Sequence, residues 1–210
     1  MGRYTGPSCR VCRREGIKLF LKGMKCETAK CQIERRQRSL APGMHGWRKG
    51  RLSEYGVRLR EKQKIKRYYG VYEQQFMRFF HEAARLPGNT GENLLQLLER
   101  RLDNVIYKLN FAASRKAARQ LITHGHVHVN DHKVDVNDYI LKLGDKITLK
   151  NADKSLKRVK QQLESNPNFT TQGWLQLDRD KPMATVVALP TRTDIQIPVE
   201  DHLVVEFCSR

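Results

Sequence analysis

Four cysteines near the start of the chain have the spacing of metal ligands. Two residues separate Cys9 from Cys12, four separate Cys26 from Cys31, and thirteen lie between the pairs. Four thiolates in two close pairs suit a tetrahedral structural zinc site, whose binding energy can fold a segment that lacks a core. An iron–sulfur cluster also accepts four cysteines. The spacing therefore predicts a structural metal, with zinc modestly favoured, whereas Cys208 has no partner pair.

The acidic residues near these cysteines do not extend the ligand set. Glu15, Glu27 and Glu34 lie nearby, but none stands at a spacing that completes an open catalytic site, and solvated salt bridges explain them more simply. The metal is therefore predicted to be structural and not catalytic. Because cations alternate with the cysteines from Arg10 to Lys30, we expect a small basic knuckle that presents cations to phosphates.

The charge of the chain requires a polyanionic partner. Lys and Arg number 40 against 22 Asp and Glu, which gives a net charge of +18 over 210 residues. Residues 1–85 carry most of this excess, with 22 Lys and Arg against 7 acidic residues. No apolar run approaches the roughly 18 residues that a membrane-spanning helix requires. Nucleic acid is therefore a better candidate partner than a membrane.

The start of the chain lacks the pattern of a secretory signal, a charged stretch followed by an apolar one, so we expect a cytosolic protein with reduced cysteines. Clustered cysteines in that compartment indicate metal binding or catalysis and not a disulfide framework. The sequence also lacks a Ser-His-Asp order with supporting motifs, a phosphate loop and a catalytic carboxylate signature. These patterns predict a binding protein and not an enzyme.

The elements that position these residues are predicted to be helical in the first half of the chain. A helix should begin after Ser53, which can cap it, and end at Gly70. A second helix should place an apolar stripe against the core, formed by Phe76, Phe79, Phe80, Ala83 and Ala84. After the break at residues 87–91, apolar residues recur every three or four positions from Leu94 to Ile106, which predicts one amphipathic helix.

The second half of the chain mixes helices with short strands. Ser114 is expected to cap a short helix that ends before Gly125. Period-two patterns then predict a hairpin through Val127, Val129 and Val134. The remaining predictions are a strand at 146–149, a helix at 153–165, and strand-like runs at 185–189 and 203–207.

These elements predict an α+β fold with four parts. The parts are a basic four-cysteine metal knuckle at residues 1–45, a mainly helical RNA-binding domain at 46–90, a helix-turn-strand module with a short antiparallel sheet at 91–165, and a strand-like tail at 166–210 that packs on the preceding domains. The core of the module is expected at about residues 99–150.

A second motif lies within this module. Arg115, Lys116 and Arg119 lie within about one turn of a helix whose N-terminus adds its own partial positive charge, and a His-Gly-His-Val-His run leads into the hairpin. This stretch resembles the small RNA-binding module named after the fourth small-subunit ribosomal protein. The module also occurs in enzymes such as pseudouridine synthases and tyrosyl-tRNA synthetases, so it indicates RNA binding without specifying a task.

The whole chain resembles the family of that ribosomal protein, in its bacterial, four-cysteine form. The resemblance rests on MGRY at residues 1–4, the four cysteines, PG-x-HG at 42–46, S-x-YG-x-RLREKQK at 53–64 and EFCSR at 206–210. Three positions depart from the family pattern: Asn110 replaces a glycine, Asn130-Asp131 replaces an Asn-Gly turn, and Cys208 replaces an aromatic residue. The first two put local turn geometry in doubt rather than the fold.

The resemblance implies a structural protein of the small ribosomal subunit that binds the 5' domain of its ribosomal RNA. It further implies a role in nucleating subunit assembly and in translational accuracy. The implied partners include neighbouring small-subunit proteins and mRNA near the entry channel. The alternative is an RNA-modifying or regulatory RNA-binding protein, or a DNA-binding regulator, that shares the module. The absence of a separate catalytic domain counts against an enzyme.

The candidate RNA-binding residues follow from the charge pattern and the resemblance together. Histidines 124, 126 and 128 are interpreted as surface or RNA-contacting and not as metal ligands. Tyr55, Tyr68 and Tyr69 can either stack on unpaired bases or pack beneath neighbouring side chains. The predicted set is Arg3, Arg10, Arg13, Arg14, Lys22, Lys30, Arg35, Arg36, His45, Arg48, Lys49, Tyr55, Arg58, Arg60, Lys62, Lys66, Tyr69, Ser114, Arg115, Lys116, Arg119, Gln120, His124, His126 and Asn130.

Overall fold

The computed structural model of the protein describes residues 2, 4–35, 40–47, 50–150, 153–166, 169–178, 182–195 and 197–209. The chain divides into two compact units. Unit 1 comprises residues 1–94 together with 196–210, and unit 2 comprises residues 95–195. The predicted 166–210 tail is therefore shared between the two units.

The regular elements described in unit 1 are helices. The segment predicted to form the metal knuckle, residues 1–45, contains helix α1, Ser8–Glu15, and a 3-10 turn, Gly23–Cys26. Helix α2 spans Glu54–Tyr69, and helix α3 spans Glu73–Arg85.

The ends of α2 are set by the two residues that the sequence indicated. The Ser53 side chain accepts a hydrogen bond from the Gly56 amide, and Gly70 adopts a left-handed conformation with φ of 65° that ends the helix. Both predictions are confirmed.

The apolar stripe of α3 faces the core of unit 1. Phe76, Phe79, Phe80 and Ala83 are buried, as predicted. Ala84 is exposed, so its assignment to the stripe is wrong. A step of 100° per residue moves Ala84 off the face that Ala83 occupies.

The single helix predicted from Leu94 to Ile106 is two helices. Helix α4 spans Thr90–Glu99 and helix α5 spans Leu102–Lys108. Arg101, between them, has an extended backbone with φ of −63° and ψ of 136° and forms an isolated β-bridge with Ile140. This pairing is a tertiary contact, which the apolar spacing alone does not encode.

The remainder of unit 2 combines two helices with a sheet. Helix α6 spans Arg115–Thr123 and helix α7 spans Asp153–Glu164, as predicted. The strands of the sheet are β1 Val127–Val129, β2 His132–Lys133, β3 Lys146–Leu149, β4 Leu175–Asp178 and β5 Met183–Val186.

The described sheet has the order β2-β1-β3-β5-β4, and all its neighbouring strands are antiparallel. Val127 and Val129 of β1 are buried, while His128 between them points to the opposite face. The inner face packs with α5, α6 and α7 into one core, which includes Ile106, Ile122 and Val159. The strands therefore hold the α5–α6 region against a continuous apolar layer.

The final helix corrects the prediction for the end of the chain. Leu203 to Phe207 was predicted to be strand-like, but these residues lie in helix α8, Asp201–Cys208, which packs on α2 in unit 1. Adjacent valines favour a strand locally, and the tertiary packing overrides that preference.

Among the residues that the structure describes, no helix is both long and apolar enough to span a membrane.

Candidate nucleic-acid interface

The N-terminus of α6 is organised as the sequence predicts. The Ser114 side chain accepts a hydrogen bond from the Ala117 amide at 3.3 Å. Lys116, Gln120 and His124 are exposed along this helix and at its end. His126 follows, partly buried, with its ring centroid 6.1 Å from that of His124. Unit 2 thus offers the Lys116 ammonium group near the N-terminus of α6, and an amide and two imidazoles at and beyond its C-terminal end.

Arg115 does not belong to that exposed face. Only 6% of the residue is exposed, and its Nε donates to Asn104 Oδ1 at 2.8 Å. Its guanidinium group also lies 4.6 Å from the ring centroid of Tyr107. The amide of Asn104 is held in turn by Glu99 Oε2 at 2.6 Å. Arg115 therefore packs α6 against α5, which corrects the prediction that its side chain is a surface contact for phosphate.

Arg119 is bound on its inner side by a buried carboxylate. Its Nε donates to Asp103 Oδ2 at 2.6 Å, and Arg101 contacts both oxygens of Asp103, at 3.1 and 2.9 Å. Burial alone would raise the pKa of Asp103, but the two guanidinium groups hold this pKa below its usual value. The Arg119 side chain keeps 16% exposure, so it lies at the border between core and surface.

The hairpin turn accommodates its unusual sequence. Asn130 and Asp131 both adopt left-handed backbone conformations, with φ of 49° and 65°. Asn130 Nδ2 donates to Asp145 Oδ1, and Asn130 Oδ1 accepts from the Lys146 amide, both at 2.9 Å. Asn130 is exposed. Through these two hydrogen bonds its side-chain amide links the turn to the start of β3. The Asn130-Asp131 sequence is therefore compatible with a hairpin turn at this position, and the fold is unchanged.

Asn110, the other departure from the family pattern, also has a left-handed backbone, with φ of 58°. Its side chain exchanges hydrogen bonds with Gln162 of α7, donating to the backbone carbonyl at 3.3 Å and accepting from the side-chain amide at 3.2 Å. The asparagine side chain therefore adds contacts between the loop that follows α5 and helix α7, which a glycine could not make.

The four cysteines near the start of the chain are close enough to interact electrostatically. Cys12, Cys26 and Cys31 are buried and Cys9 is partly buried. Burial raises the pKa of the Cys12 thiol; a backbone hydrogen bond from Leu19 opposes this, and the other three thiols add to it.

The backbone also bonds to one of these sulfurs, since the Lys22 amide donates to Cys26 Sγ at 3.4 Å. This donor set suits zinc or an iron–sulfur cluster. Within the described ranges, however, no group of three or more His, Cys, Asp or Glu side chains is arranged to hold a metal ion. The four-cysteine knuckle accordingly remains a proposal.

Glu15 is the acidic residue near the cysteines whose environment differs most from the prediction. Its side chain is fully buried, not solvated, and it forms ion pairs with Arg60 at 3.2 Å and with Arg67. Burial raises the pKa of Glu15, although both arginines act to lower it. Glu34 fits the prediction better, since it forms a partly exposed ion pair with Lys18. Glu15 thus links α1 to α2 through two ion pairs.

The tyrosines of α2 are divided between surface and core. Tyr68 and Tyr69 are buried, with ring centroids 4.9 Å apart in an edge-on arrangement, so they pack and do not stack on bases. Tyr55 is 64% exposed, and its ring centroid lies 5.3 Å from that of Phe207 in α8. The prediction that Tyr69 contacts RNA is therefore corrected, and the prediction for Tyr55 stands.

The structure sorts the predicted RNA-binding set by exposure. Eleven residues are exposed: Arg10, Arg14, Lys22, Lys30, Arg35, His45, Tyr55, Lys116, Gln120, His124 and Asn130. Seven are partly buried: Arg13, Arg58, Arg60, Lys66, Ser114, Arg119 and His126. Lys62, Tyr69 and Arg115 are buried, and Arg3, Arg36, Arg48 and Lys49 lie outside the described residues.

Sequence reasoning missed two buried acidic residues: Asp103, which binds Arg101 and Arg119, and Glu99, which binds Lys108. Asp103 and Glu99 lie at 1% and 0% exposure within the apolar run that became α4 and α5. Charged residues are almost never fully buried unless they are paired. Their position in an otherwise apolar stripe was the available signal. It indicates an internal charge network and not a solvated face.

Unit 2 thus combines a capped helix, the exposed side chains of Lys116, Gln120 and His124, and a β-hairpin in a small antiparallel sheet, which is the arrangement expected of an RNA-binding module. Residues 100–147 match the family described as "S4 domain", and residues 3–99 match the family described as "Ribosomal protein S4/S9 N-terminal domain". The two matches together account for residues 3–147.

Curated relatives are similar over the whole chain. Small ribosomal subunit protein uS4 of Thermoanaerobacter sp. (strain X514) is 54% identical over 210 residues, covering 100% of both chains. The proteins of the same name from Halothermothrix orenii (strain H 168) and Acetivibrio thermocellus (strain ATCC 27405) are 53% and 51% identical, also with 100% of both chains covered. The chain therefore belongs to the uS4 family of small ribosomal subunit proteins, which are not enzymes.

Proposed function

We propose that the protein is a primary ribosomal RNA-binding protein that docks on the 5' domain of small-subunit ribosomal RNA, nucleates subunit assembly and contributes to translational accuracy. The single observation that carries the proposal is full-length similarity, at 54% identity, to a small ribosomal subunit protein uS4. It acts in the cytoplasm, within the small ribosomal subunit. Its further partners are neighbouring small-subunit proteins and mRNA near the entry channel.

The mechanism of binding is electrostatic and depends on the shape of the RNA. The net charge of +18 favours release of counterions from the RNA backbone when cations reach its phosphates. Unit 2 contributes the exposed side chains around α6, Lys116, Gln120 and His124. Structured RNA is recognised largely through backbone and shape, so these residues set affinity and orientation more than base sequence.

Sedimentation of the tagged protein in salt-washed extract tests this proposal. A ribosomal protein is expected to remain with the small subunits through the wash. A regulator that binds RNA transiently would be released into the supernatant. Loss of the protein at a salt concentration that retains other small-subunit proteins would contradict the proposal.

We also propose that Cys9, Cys12, Cys26 and Cys31 hold one structural metal, zinc in preference to an iron–sulfur cluster. The support is the chemistry of four cysteine donors in two close pairs and the electrostatic proximity of their thiols. Such a metal would supply folding free energy to a segment with few buried apolar residues. The surrounding basic residues would then present cations to RNA from a fixed framework.

Metal analysis of purified protein tests the site without reference to RNA binding. We expect one zinc per chain in the native protein, and loss of the metal in Cys12→Ser. Cys208→Ser is the matched control, because Cys208 lies in α8 and is expected to have no metal role. Native protein without bound metal, or equal metal content in the two variants, would refute the assignment. Iron and sulfide in place of zinc would identify a cluster.

A further inference from the structure

Helix α2 is the most basic helix of unit 1, and all of its cations are ion-paired within the protein. Each cationic side chain lies within 4.0 Å of a carboxylate, and none has more than 30% of its side chain exposed. The six cations are Arg58, Arg60, Lys62, Lys64, Lys66 and Arg67.

Two of the carboxylates each bind a pair of these cations. Glu15 of α1 receives Arg60 and Arg67, and its own side chain is fully buried. Glu73 of α3 receives Lys62 at 2.6 Å and also Lys66. The pKa of Glu73 is lowered because the two ammonium groups outweigh the effect of its partial burial. The neighbouring helices α1 and α3 are thus both tied to α2 through charge.

The remaining pairs tie α2 to α8 and to itself. Glu206 of α8 receives Arg58 at 2.9 Å, and Glu54 of α2 receives the same guanidinium at 3.1 Å. Glu61 pairs with Lys64 and also accepts the Glu200 amide at 3.3 Å. The Lys62 ammonium lies a further 4.6 Å from the ring centroid of Phe207.

A phosphate must compete with these contacts to bind an α2 cation. Each new contact would either displace the ion pair or place the phosphate beside the carboxylate that already binds the cation, where the two anions repel each other. Where the carboxylate is buried, as Glu15 is, loss of its partners leaves an uncompensated charge in the core. The α2 cations therefore gain less from phosphate contact than fully solvated cations do.

The N-terminal segment provides cations without this competition. Arg10, Lys22, Lys25 and Lys30 are exposed. Among the described residues, no carboxylate lies within ion-pair distance of any of these four side chains. Their charges are available to a polyanion at little cost beyond ordering the side chains.

We infer that the six α2 cations are committed to ion pairs within the protein, five of them to carboxylates of α1, α3 and α8, and do not contact ribosomal RNA phosphates. The exposed cations Arg10, Lys22, Lys25 and Lys30 make phosphate contacts in their place. The inference rests on the proposed ribosomal RNA binding. It also reassigns Arg58, Arg60, Lys62 and Lys66, which the sequence predicted to be RNA-binding.

The salt dependence of RNA binding separates the two roles. We would measure the affinity of the full-length protein for a 5'-domain fragment of small-subunit ribosomal RNA over a series of salt concentrations. Lys64→Met and Lys66→Met each remove one α2 cation, and Lys22→Met removes one exposed cation as the matched control. Each phosphate contact contributes about 0.7 to 0.9 to the slope of log affinity against log salt.

We expect the slope to fall by about that amount in Lys22→Met and to stay at the wild-type value in Lys64→Met and Lys66→Met. A structural role cannot mimic this result, because a change in stability alone leaves the number of released counterions unchanged. Circular dichroism before each titration shows which variants are folded, and the two α2 variants provide independent tests.

A reduced slope in the folded α2 variants, or an unchanged slope in Lys22→Met, would overturn the inference. Failure of the proposed function has a different signature: the wild-type protein would bind the 5'-domain fragment no better than an unrelated RNA of equal length. Failure of the inference alone leaves that preference intact.

Discussion

Unit 1 and unit 2 both contain networks of charged side chains. The pairs around Asp103 in unit 2 are more deeply buried than the pairs around Glu73 in unit 1. In unit 2, Arg101 and Asp103 are each 1% exposed and bonded through two parallel contacts. In unit 1, Lys66 retains 13% side-chain exposure and its partner Glu73 retains 48%. A buried pair cannot exchange its partner for water, whereas a surface pair can. The Arg101–Asp103 pair therefore fixes the core of unit 2, whereas the Lys66–Glu73 pair joins helices at the surface of unit 1.

Removal of the buried carboxylate should have the largest effect. Asp103→Ala leaves the Arg101 and Arg119 guanidinium groups without their shared acceptor, which is expected to cost about 3–5 kcal/mol of unfolding free energy. Denaturant unfolding of the full chain measures this loss. Asp135→Ala is the control, because Asp135 is an exposed residue of the same unit. Equal stability of the two variants would show that the buried network is not structural.

Acid should weaken unit 2 through the same residue. Because the folded pKa of Asp103 is lowered, its contribution is fully present above its ordinary pKa, about 3.9, and is lost as the pH falls through the lower folded value. The gap in unfolding free energy between wild type and Asp103→Asn should therefore shrink below about pH 4. The measurement is urea unfolding from pH 7 downward. A gap independent of pH would argue against an ionised Asp103.

The hairpin turn offers a smaller, stabilising change. Asp131 has a φ of 65°, a conformation that costs an L-residue energy and a glycine almost none. Asp131→Gly should raise the unfolding free energy by roughly 0.5–1 kcal/mol, net of the greater chain entropy of glycine when unfolded. Thermal unfolding provides the readout. For comparison, Asp138→Gly changes a residue outside the left-handed region, and we expect no gain there.

The surface network should respond least. Glu73→Gln removes a half-exposed carboxylate from Lys62 and Lys66, and such pairs contribute about 0.2–1 kcal/mol. High salt should reduce the difference from wild type further, because screening acts on exposed charges. Denaturant unfolding at two salt concentrations tests this. A loss as large as that of Asp103→Ala would remove the contrast between the two units.

The sequence predicted the features that depend on local chemistry. Ser53 and Ser114 cap helices through their own hydroxyl groups, and Gly70 ends α2 because it tolerates a left-handed backbone. The break at Arg101 and the helical state of residues 203–207 depend instead on contacts with distant segments. Spacing along the chain does not encode such contacts.

For the candidate site, the composition of the chain indicated the kind of partner, a nucleic acid, more reliably than it indicated which residues make the contacts. A basic residue was taken as available to RNA wherever it fell on a helix face. Arg115 shows why this fails: an acceptor from α5 and an aromatic ring bury its guanidinium group. Arg115→Ala is accordingly expected to destabilise unit 2, because it removes the contacts with Asn104 and Tyr107. Lys116, the next residue, keeps its predicted exposure.

The most direct test of the proposed function is a comparison of two RNAs of equal length, a 5'-domain fragment of small-subunit ribosomal RNA and an unrelated structured RNA. The affinity of the purified protein for each is measured across increasing salt. We predict that binding to both weakens with salt and that preference for the 5'-domain fragment persists at high salt. Equal binding to both RNAs, lost in parallel as salt rises, would contradict a primary ribosomal RNA-binding role.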